Sequence, residues 1–393
     1  MVLLTNFLLP YRLPLIRELL RHDPTLQVLL SNAPEGRSNE SDWQGLPIRL
    51  QRSLLWRKRW RRHHFEDLVT VHFPYDTMLR LNELEPPVIV SGELGARTLQ
   101  AAIYRKLNPT TRLVIWATVS EITELDRGAL RHRLRRFLFK CADAVIVNGS
   151  SGERYVRGYG VAQAGIFRVP QTTDTRPFLS LPLPTRQDSY FRLLYCGRLV
   201  EFKGLVLFHE QLASWAVSNP QSKIEWTLAG EGPIKEALAN ASRPSNLTLH
   251  FLGHVPYDEL PRAYLHTNYV VFPSLADEWG LAVVEALAAG RPVIGSVYSQ
   301  AVEDLVISGK NGWTFRTDHP EEVIEALNQA FATTHSVFSE ACQSARDSVR
   351  DLTPESMACG IWAAVNYTRS RLCQKTSPKQ TPGAAFQEDE SER

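Results

Sequence analysis

The sequence holds no cluster of cysteines. Its five, Cys141, Cys196, Cys342, Cys359 and Cys373, are odd in number and stand without CxxC or Cys/His metal spacing. That excludes a zinc ribbon and fits a reducing cytoplasm better than a disulfide-built secreted domain. No apolar run approaches the roughly 18 residues that a membrane-spanning helix needs. The opening MVLLTNFLLPYRLPLIRELL is apolar, yet it lacks a charged leading region and is broken by Arg12 and Arg17. It also has no small-residue cleavage pattern, which argues against a secretory signal. There is no internal repeat and no collagen-like, heptad or low-complexity pattern in the main body. No recognised nucleic-acid-binding module accompanies the basic segments, so nucleic acid is not an expected partner.

What is present is an ordinary globular composition, 44% hydrophobic and 22% charged, in 393 residues. That length favours two domains. The net charge of +2 hides an imbalance: residues 1–185 hold 26 Lys+Arg against 17 Asp+Glu, and the remainder holds 18 against 25. A basic half beside an acidic half suggests that the first faces an anionic partner.

Short apolar runs alternate with helical patterns. Candidate strands in the first half are 2–6, 26–31, 68–72, 87–91, 112–116 and 143–149; in the second, 192–196, 223–230, 247–253, 269–274 and 292–296. This rhythm predicts α/β architecture, with parallel sheets covered by helices on both faces. SLPLPTRQDSYF at 179–190 reads as a linker. The expectation is two doubly wound, Rossmann-like domains facing a central cleft: 1–180, and 188–354 with a helix near 355–373 that packs back on the first. Residues 376–393 read as a disordered tail.

Four motifs in the second half carry chemistry. RLLYC runs into GRLVEFKG, where Gly197 permits a tight turn and Arg198 and Lys203 place two cations on a loop ahead of a helix, a usual anion site. A following strand ends in AGEGP, with Gly230, which is not a GxGxxG fingerprint. FLGHVPYDEL contributes Gly253, His254 and Val255. Finally, ADEWGLAVVEALAAGRPVIGS sets Asp277 and Glu278 before a helix that starts near Gly280 or Leu281, with Glu285 one turn inside it. Helix capping accounts for either early acid. It does not account for a carboxylate inside an apolar helix.

These motifs, in this order, resemble the donor site of glycosyltransferase family 4, retaining enzymes of the GT-B fold. The resemblance is strong over about 190–300 and general elsewhere. It implies a nucleotide-diphosphate sugar as donor substrate, with no separate cofactor. Arg198 and Lys203 would bind the diphosphate, Glu285 the ribose and Asp277 the donor sugar. Backbone at Gly280 and Leu281 would approach sugar and phosphates, and Gly253–Val255 would lie along the base. Gly197 and Gly230 join this donor set, and Asp277, Glu285, Arg198 and Lys203 form its catalytic core. The chain departs from the family where Asp277 replaces the usual Glu, with Glu278 as neighbouring alternative. NFLLPYR stands in place of a Gly-Gly loop, and no His appears in LVIWATVSEITE. Tyr11, Arg12, Trp116, Thr118 and Glu121 remain as acceptor-side candidates, without an assigned base.

No D-x-D pair occurs, so the expectation is metal-independent transfer, with Arg198, Lys203 and the helix N-terminus supplying the positive field. RSLLWRKRWRRHH (52–64) packs six Lys/Arg and two Trp into thirteen residues; Trp56 and Trp60 would be neighbours on a helix. RGALRHRLRRFLFK (127–140) would align Leu130, Leu134, Phe137 and Leu138 on one stripe, with arginines elsewhere. Such surfaces suit anionic lipid headgroups. They suggest peripheral attachment to the inner face of the plasma membrane and a lipid-linked or lipopolysaccharide-type glycan acceptor. The alternatives are a nucleotide-sugar epimerase of the same fold and a non-catalytic, donor-binding regulatory protein.

Overall fold

The computed structural model describes residues 1–6, 8–31, 43–62 and 65–376, with side chains treated outside 57–69 and 371–376. The expected tail lies outside the described residues from 377 onward, as does the Trp60 side chain.

The first half contributes β1 (Val2–Thr5), α1 (Leu13–His22), β2 (Gln27–Leu30), β3 (Ile48–Leu50), β4 (Ser53–Arg62) and β5 (Phe65–Pro74). There follow α2 (Thr77–Leu84), β6 (Val88–Gly92), α3 (Ala96–Leu107), β7 (Arg112–Ala117), α4 (Ala129–Cys141), β8 (Ala144–Val147), α5 (Ser150–Arg157) and β9 (Ile166–Arg168). Among the described residues the order is β3-β2-β1-β6-β7-β8-β9, and every pairing is parallel. The inner strands β1, β2, β6, β7 and β8 are short and buried on both faces, as βαβ crossovers require, while the edge strands β3 and β9 are partly exposed. Met1, Leu3, Val28, Val90 and Val114 belong to one core, and Leu4, Leu29, Ile89 and Ile115 to the other.

The second half contains α6 (Arg176–Leu179), β10 (Tyr190–Cys196), α7 (Leu205–Ser218), β11 (Lys223–Ala229), α8 (Lys235–Asn240), β12 (Leu247–Gly253) and α9 (Leu260–Leu265). It continues with β13 (Tyr269–Phe272), α10 (Leu281–Ala288), β14 (Val293–Ser296), α11 (Gln300–Leu305), β15 (Gly312–Phe315), α12 (Pro320–Phe331), α13 (His335–Ser348) and α14 (Pro354–Thr376). Its parallel sheet runs β12-β11-β10-β13-β14-β15. Both sheets reverse direction of growth at one point, between β1 and β6 and between β10 and β13. Open α/β sheets bind ligands in the crevice at such points. α14 returns to the first half, where Met357, Ala358, Ile361, Trp362 and Val365 join its core. No helix among the described residues is long and apolar enough to cross a membrane.

Two local expectations need correction. The run 68–72 is a strand, but in a separate antiparallel ribbon with 53–62 rather than in the parallel sheet. Segment 53–62 is therefore extended and not helical, paired residue for residue with 65–74; a helix would set Arg57 against Arg61 and Lys58 against Arg62 one turn apart, like-charge pairs that disfavour it. The stripe predicted on 127–140 is rotated. Leu130 is 82% exposed, while Arg135 is buried with Leu138 and Phe139. The reason is electrostatic: Arg135 Nε lies 3.1 Å from Glu124 and its guanidinium donates to the Leu94 carbonyl, so the cation takes the inward position.

Candidate active site

The expected donor side grows from the ends of β10, β11 and β13. Gly197 directly follows β10, and its N–H donates to Ala229 O at 2.9 Å; Leu199 N–H donates to Glu231 O at 2.8 Å. The loops after β10 and β11 thus run side by side, and Gly230 bridges Gly253 at the end of β12. Beyond it His254 is exposed and Val255 half-buried. Gly204, at φ +68°, closes the turn that carries Lys203. A Cβ there would collide with the Pro273 carbonyl oxygen, so only glycine lets the cation loop approach the β13 loop this closely.

Lys203 Nζ forms an ion pair with Asp277 Oδ2 and lies 5.3 Å from the ring centroids of Phe202 and Phe272. Both side chains are mostly shielded, at 14% and 16% exposure. Leu275 N–H donates to Phe202 O at 2.9 Å, so backbone and side chain join the two loops. Asp277 Oδ1 also accepts from Trp279 N–H at 3.3 Å. Arg198 remains exposed, its guanidinium 5.3 Å from the Phe202 ring.

Glu285 sits on α10, 4% exposed. The phenol of Tyr264 donates to Glu285 Oε2 at 3.1 Å. Burial pushes the carboxyl up to about 7, against the pull of that hydrogen bond. A buried polar group must be matched by a partner, and a single phenol matches only part of a carboxylate's capacity. Glu278 opens to solvent inside the cleft. Enclosure by the protein walls, then Asp277, Glu124 and Glu93, push it up to about 8. Gly280 begins α10 at φ +112°, where a Cβ would come within 2.8 Å of Ser299 Oγ. That serine donates to Trp279 O at 2.5 Å. Leu281 is the first residue of the helix.

On the opposing wall, a short turn Pro10–Arg12 places the Arg12 guanidinium 5.5 Å over the Trp116 ring. Tyr11 and Thr118 are half-buried. Glu121 turns to Arg154 at 2.7 Å, beside a cavity of about 200 Å³ that also touches Ser151, Tyr298, Gln300 and Glu303. Arg12 and Trp116 therefore come together, whereas Glu121 is drawn into the contact between the two halves.

Several participants had no sequence signal. Asn148 accepts from Trp116 Nε1 at 3.4 Å and Gln171 Nε2 at 3.2 Å, and donates to Glu278 O at 3.3 Å. Trp279 Nε1 donates to Gln171 O at 2.7 Å. Gln300 Nε2 donates to Val119 O at 2.8 Å and to Glu278 O at 2.5 Å, while its Oε1 accepts from Gly152 N–H at 2.8 Å. Ser150 N–H donates to Asp304 at 2.9 Å. These bonds lock the β13 loop to the first half. Glu93, after β6, is held at φ +72° by Thr98, whose hydroxyl donates to its carbonyl at 2.5 Å, and by its N–H to Trp116 O at 3.1 Å. Strain of that kind marks functional positions. Burial raises the Glu93 carboxyl, opposed by Arg97 and Arg12. The Arg97 guanidinium is buried without a hydrogen-bond partner among the described residues and is pushed down by that burial to about 10. The one hint in sequence was an acid directly after an apolar run, in SGELG.

Taken together, cations and helix N-terminal amides stand on one wall, a shielded carboxylate lies behind them, and aromatic and charged groups stand on the other wall. Such a crevice can hold a diphosphate, a hydroxyl-rich moiety and a second substrate.

Residues 190–333 match the family model described as Glycosyl transferases group 1. The sulfoquinovosyl transferase SQD2 of Arabidopsis thaliana is 26% identical over 204 residues, 49% of this chain and 38% of that protein. The glycogen synthase of Mycobacterium tuberculosis is 27% identical over 187 residues, 46% of this chain and 44% of that protein. The chain spans between 38% and 64% of the length of the first curated relatives it matches. Among solved structures, the lipopolysaccharide outer core galactosyltransferase WaaB aligns over 93% of this chain and 98% of that one, with a TM-score of 0.67 and 13% identity. The Anabaena protein HepE, in complex with UDP, aligns over 93% and 99%, with a TM-score of 0.69 and 16% identity. At these identities the likeness is one of fold. Residues 190–333 thus carry the group 1 glycosyltransferase family match, within a chain whose two Rossmann-like domains have the fold of GT-B glycosyltransferases.

Proposed function

We propose that the chain transfers a sugar from a nucleotide-diphosphate donor to a lipid-linked or lipopolysaccharide-type glycan, as a retaining family 4 enzyme that needs no metal. The observation that carries this reading is the convergence of Lys203, Asp277, Glu278 and the α10 N-terminus at one topological switch point, opposite Arg12, Trp116 and Glu93 at the other.

Departure of a nucleoside diphosphate needs positive charge at the leaving oxygens. Lys203 and Arg198 supply it, with α10 amides beyond Gly280 as neutral donors. The diphosphate then competes with Asp277 for Lys203, which frees the Asp277 carboxylate toward the sugar centre. Glu285 lies behind that loop and accepts the ribose hydroxyls. The bonds through Asn148, Gln171 and Gln300 hold the walls together, which limits water at the reacting centre. The acceptor class rests on the basic first half and on a structural neighbour whose name carries the lipopolysaccharide outer core. Peripheral attachment at the cytoplasmic face of the plasma membrane follows from that class.

The test is transfer of label from a panel of nucleotide sugars to glycolipid extract, with and without EDTA. Label in the lipid fraction in EDTA, with the anomeric configuration kept, supports the reading. Activity abolished by EDTA and restored by a divalent ion removes metal independence. Interconversion of the donor without any acceptor favours an epimerase.

A further inference from the structure

The ribbon β4–β5 belongs to neither parallel sheet. A two-stranded ribbon alone is marginal in water, so ten residues on each side call for a surface to lie on. Its base is tied to the first half. Arg52 N–H donates to Asp76 at 3.1 Å, Gln51 Nε2 donates to Thr77 at 2.9 Å, and Gln100 Nε2 donates to Pro74 O at 2.6 Å.

Beyond the base the register pairs Leu54 with Phe73 and Trp56 with Val71. Directly opposed residues share a face, and alternate residues return to it. These four therefore form one apolar strip, with Leu54 59%, Trp56 48% and Phe73 38% exposed. Leu55, on the other face, is also exposed, at 43%. Contiguous exposed apolar surface of this kind marks an interaction site. The sequence of this region is basic on balance: residues 43–74 hold seven Lys/Arg against two acids, Glu66 and Asp67. Polybasic clusters beside exposed tryptophan and leucine suit anionic headgroups over an acyl boundary.

The other basic segment differs. α4 exposes Arg131, Arg133 and Arg136, but its Leu138 and Phe139 are spent in the core and only Leu130 protrudes. It offers cations without an apolar strip. β5 also runs alongside the turn Glu201–Lys203, so the ribbon stands at the mouth of the cleft.

We infer that the ribbon β4–β5 docks the chain on an anionic lipid bilayer, its Leu54/Trp56/Phe73 strip entering the interface beside the exposed Arg49 and Arg52. The inference rests on the reading of a membrane-held acceptor and names the part that meets the membrane.

The experiment is co-sedimentation of the full chain with phosphatidylglycerol–phosphatidylcholine vesicles and with phosphatidylcholine vesicles, at low salt. It compares wild type, Leu54→Ser/Trp56→Ser, and Arg131→Glu/Arg133→Glu/Arg136→Glu. Circular dichroism and the thermal shift given by nucleoside diphosphates are read on the same preparations. Wild type should sediment with the anionic vesicles only. The hairpin variant should partition about tenfold or more weakly, with unchanged fold and nucleotide response, and the α4 variant should keep most of its binding. Undiminished binding by the hairpin variant, or loss confined to the α4 variant, would overturn the assignment while leaving peripheral attachment intact. Absence of binding by wild type would overturn both. Failure of the nucleotide response with vesicle binding intact would remove the transferase reading alone.

Discussion

Lys203 and Asp277 are 74 residues apart and form one ion pair. It joins the loop after β10 to the loop after β13, the two strands that flank the second sheet's switch point. Each is mostly shielded from solvent, so neither charge is indifferent to losing the other.

Asp277→Asn should therefore lower the stability of the ligand-free chain by about 1–3 kcal/mol. With saturating nucleoside diphosphate the deficit should shrink, because phosphate oxygens replace the lost counter-charge. Lys203→Met should instead abolish the nucleotide-induced rise in Tm. Equal deficits for Asp277→Asn with and without nucleotide would show that the diphosphate does not engage Lys203.

Glu285 gives a pH dependence with a definite sign. Its carboxyl is pushed up to about 7 in the fold, while in the unfolded chain it titrates near the ordinary carboxylate value. The native state thus holds the proton more tightly. The stability this contributes is present in full below the unfolded value and is lost as pH rises through about 7, on the order of 3 kcal/mol. The ligand-free Tm should fall between pH 5 and pH 8 in wild type and fall less in Glu285→Gln. In the proposed role ribose hydroxyls would donate to the ionised form, so nucleotide affinity should rise toward pH 8 more steeply in wild type than in Glu285→Gln. A pH profile shared by both proteins would contradict this role.

The contact between the halves can be probed at Gly149. A methyl added there would overlap the Asp304 carboxylate and meet the Trp279 ring at 3.0 Å. Gly149→Ala should loosen the closed cleft and raise the radius of gyration seen by small-angle scattering. Transfer should drop on the order of tenfold, since the loop bearing Asp277 loses its position. Unchanged scattering together with unchanged activity would argue against a contact that holds the site closed.

Glu93 and Arg97 form a second electrostatic unit. Glu93→Gln leaves a buried guanidinium without its compensating charge and should destabilise the chain by about 2–4 kcal/mol. Adding Arg97→Met should recover most of that. A double variant as unstable as the single one would mean that Arg97 does not depend on Glu93.

The strands were legible because both sheets are covered on both faces. Runs such as PVIVS and YVVFPS then stand out whatever their neighbours. The ribbon was not, because LVTVH looks like any of those runs and its partner is fixed by pairing, not by composition. The orientation of α4 is hidden for a related reason: its pattern puts Arg135 on the surface, while Glu124 and the Leu94 carbonyl supply buried acceptors that draw it inward. Of the site, the glycines, the cations, Asp277 and Glu278 sit on loops whose local sequence dictates their turns, and Glu285 stands out as a lone acid within the apolar α10. Asn148, Gln171, Gln300 and Glu93 are single polar residues in separate loops. Only the meeting of two domains makes them one network, and no local pattern encodes that.

In the proposed function the crevice after β10 and β13 holds a nucleoside diphosphate through Lys203 and Glu285. Thermal shift with UDP, GDP, ADP, CMP and UMP in EDTA, on wild type and Glu285→Gln, tests it most directly. One diphosphate should stabilise wild type by about 2.7 kcal/mol at one hundred times its dissociation constant, and the variant by much less. Stabilisation of both proteins alike, or of neither by any nucleotide, would contradict it.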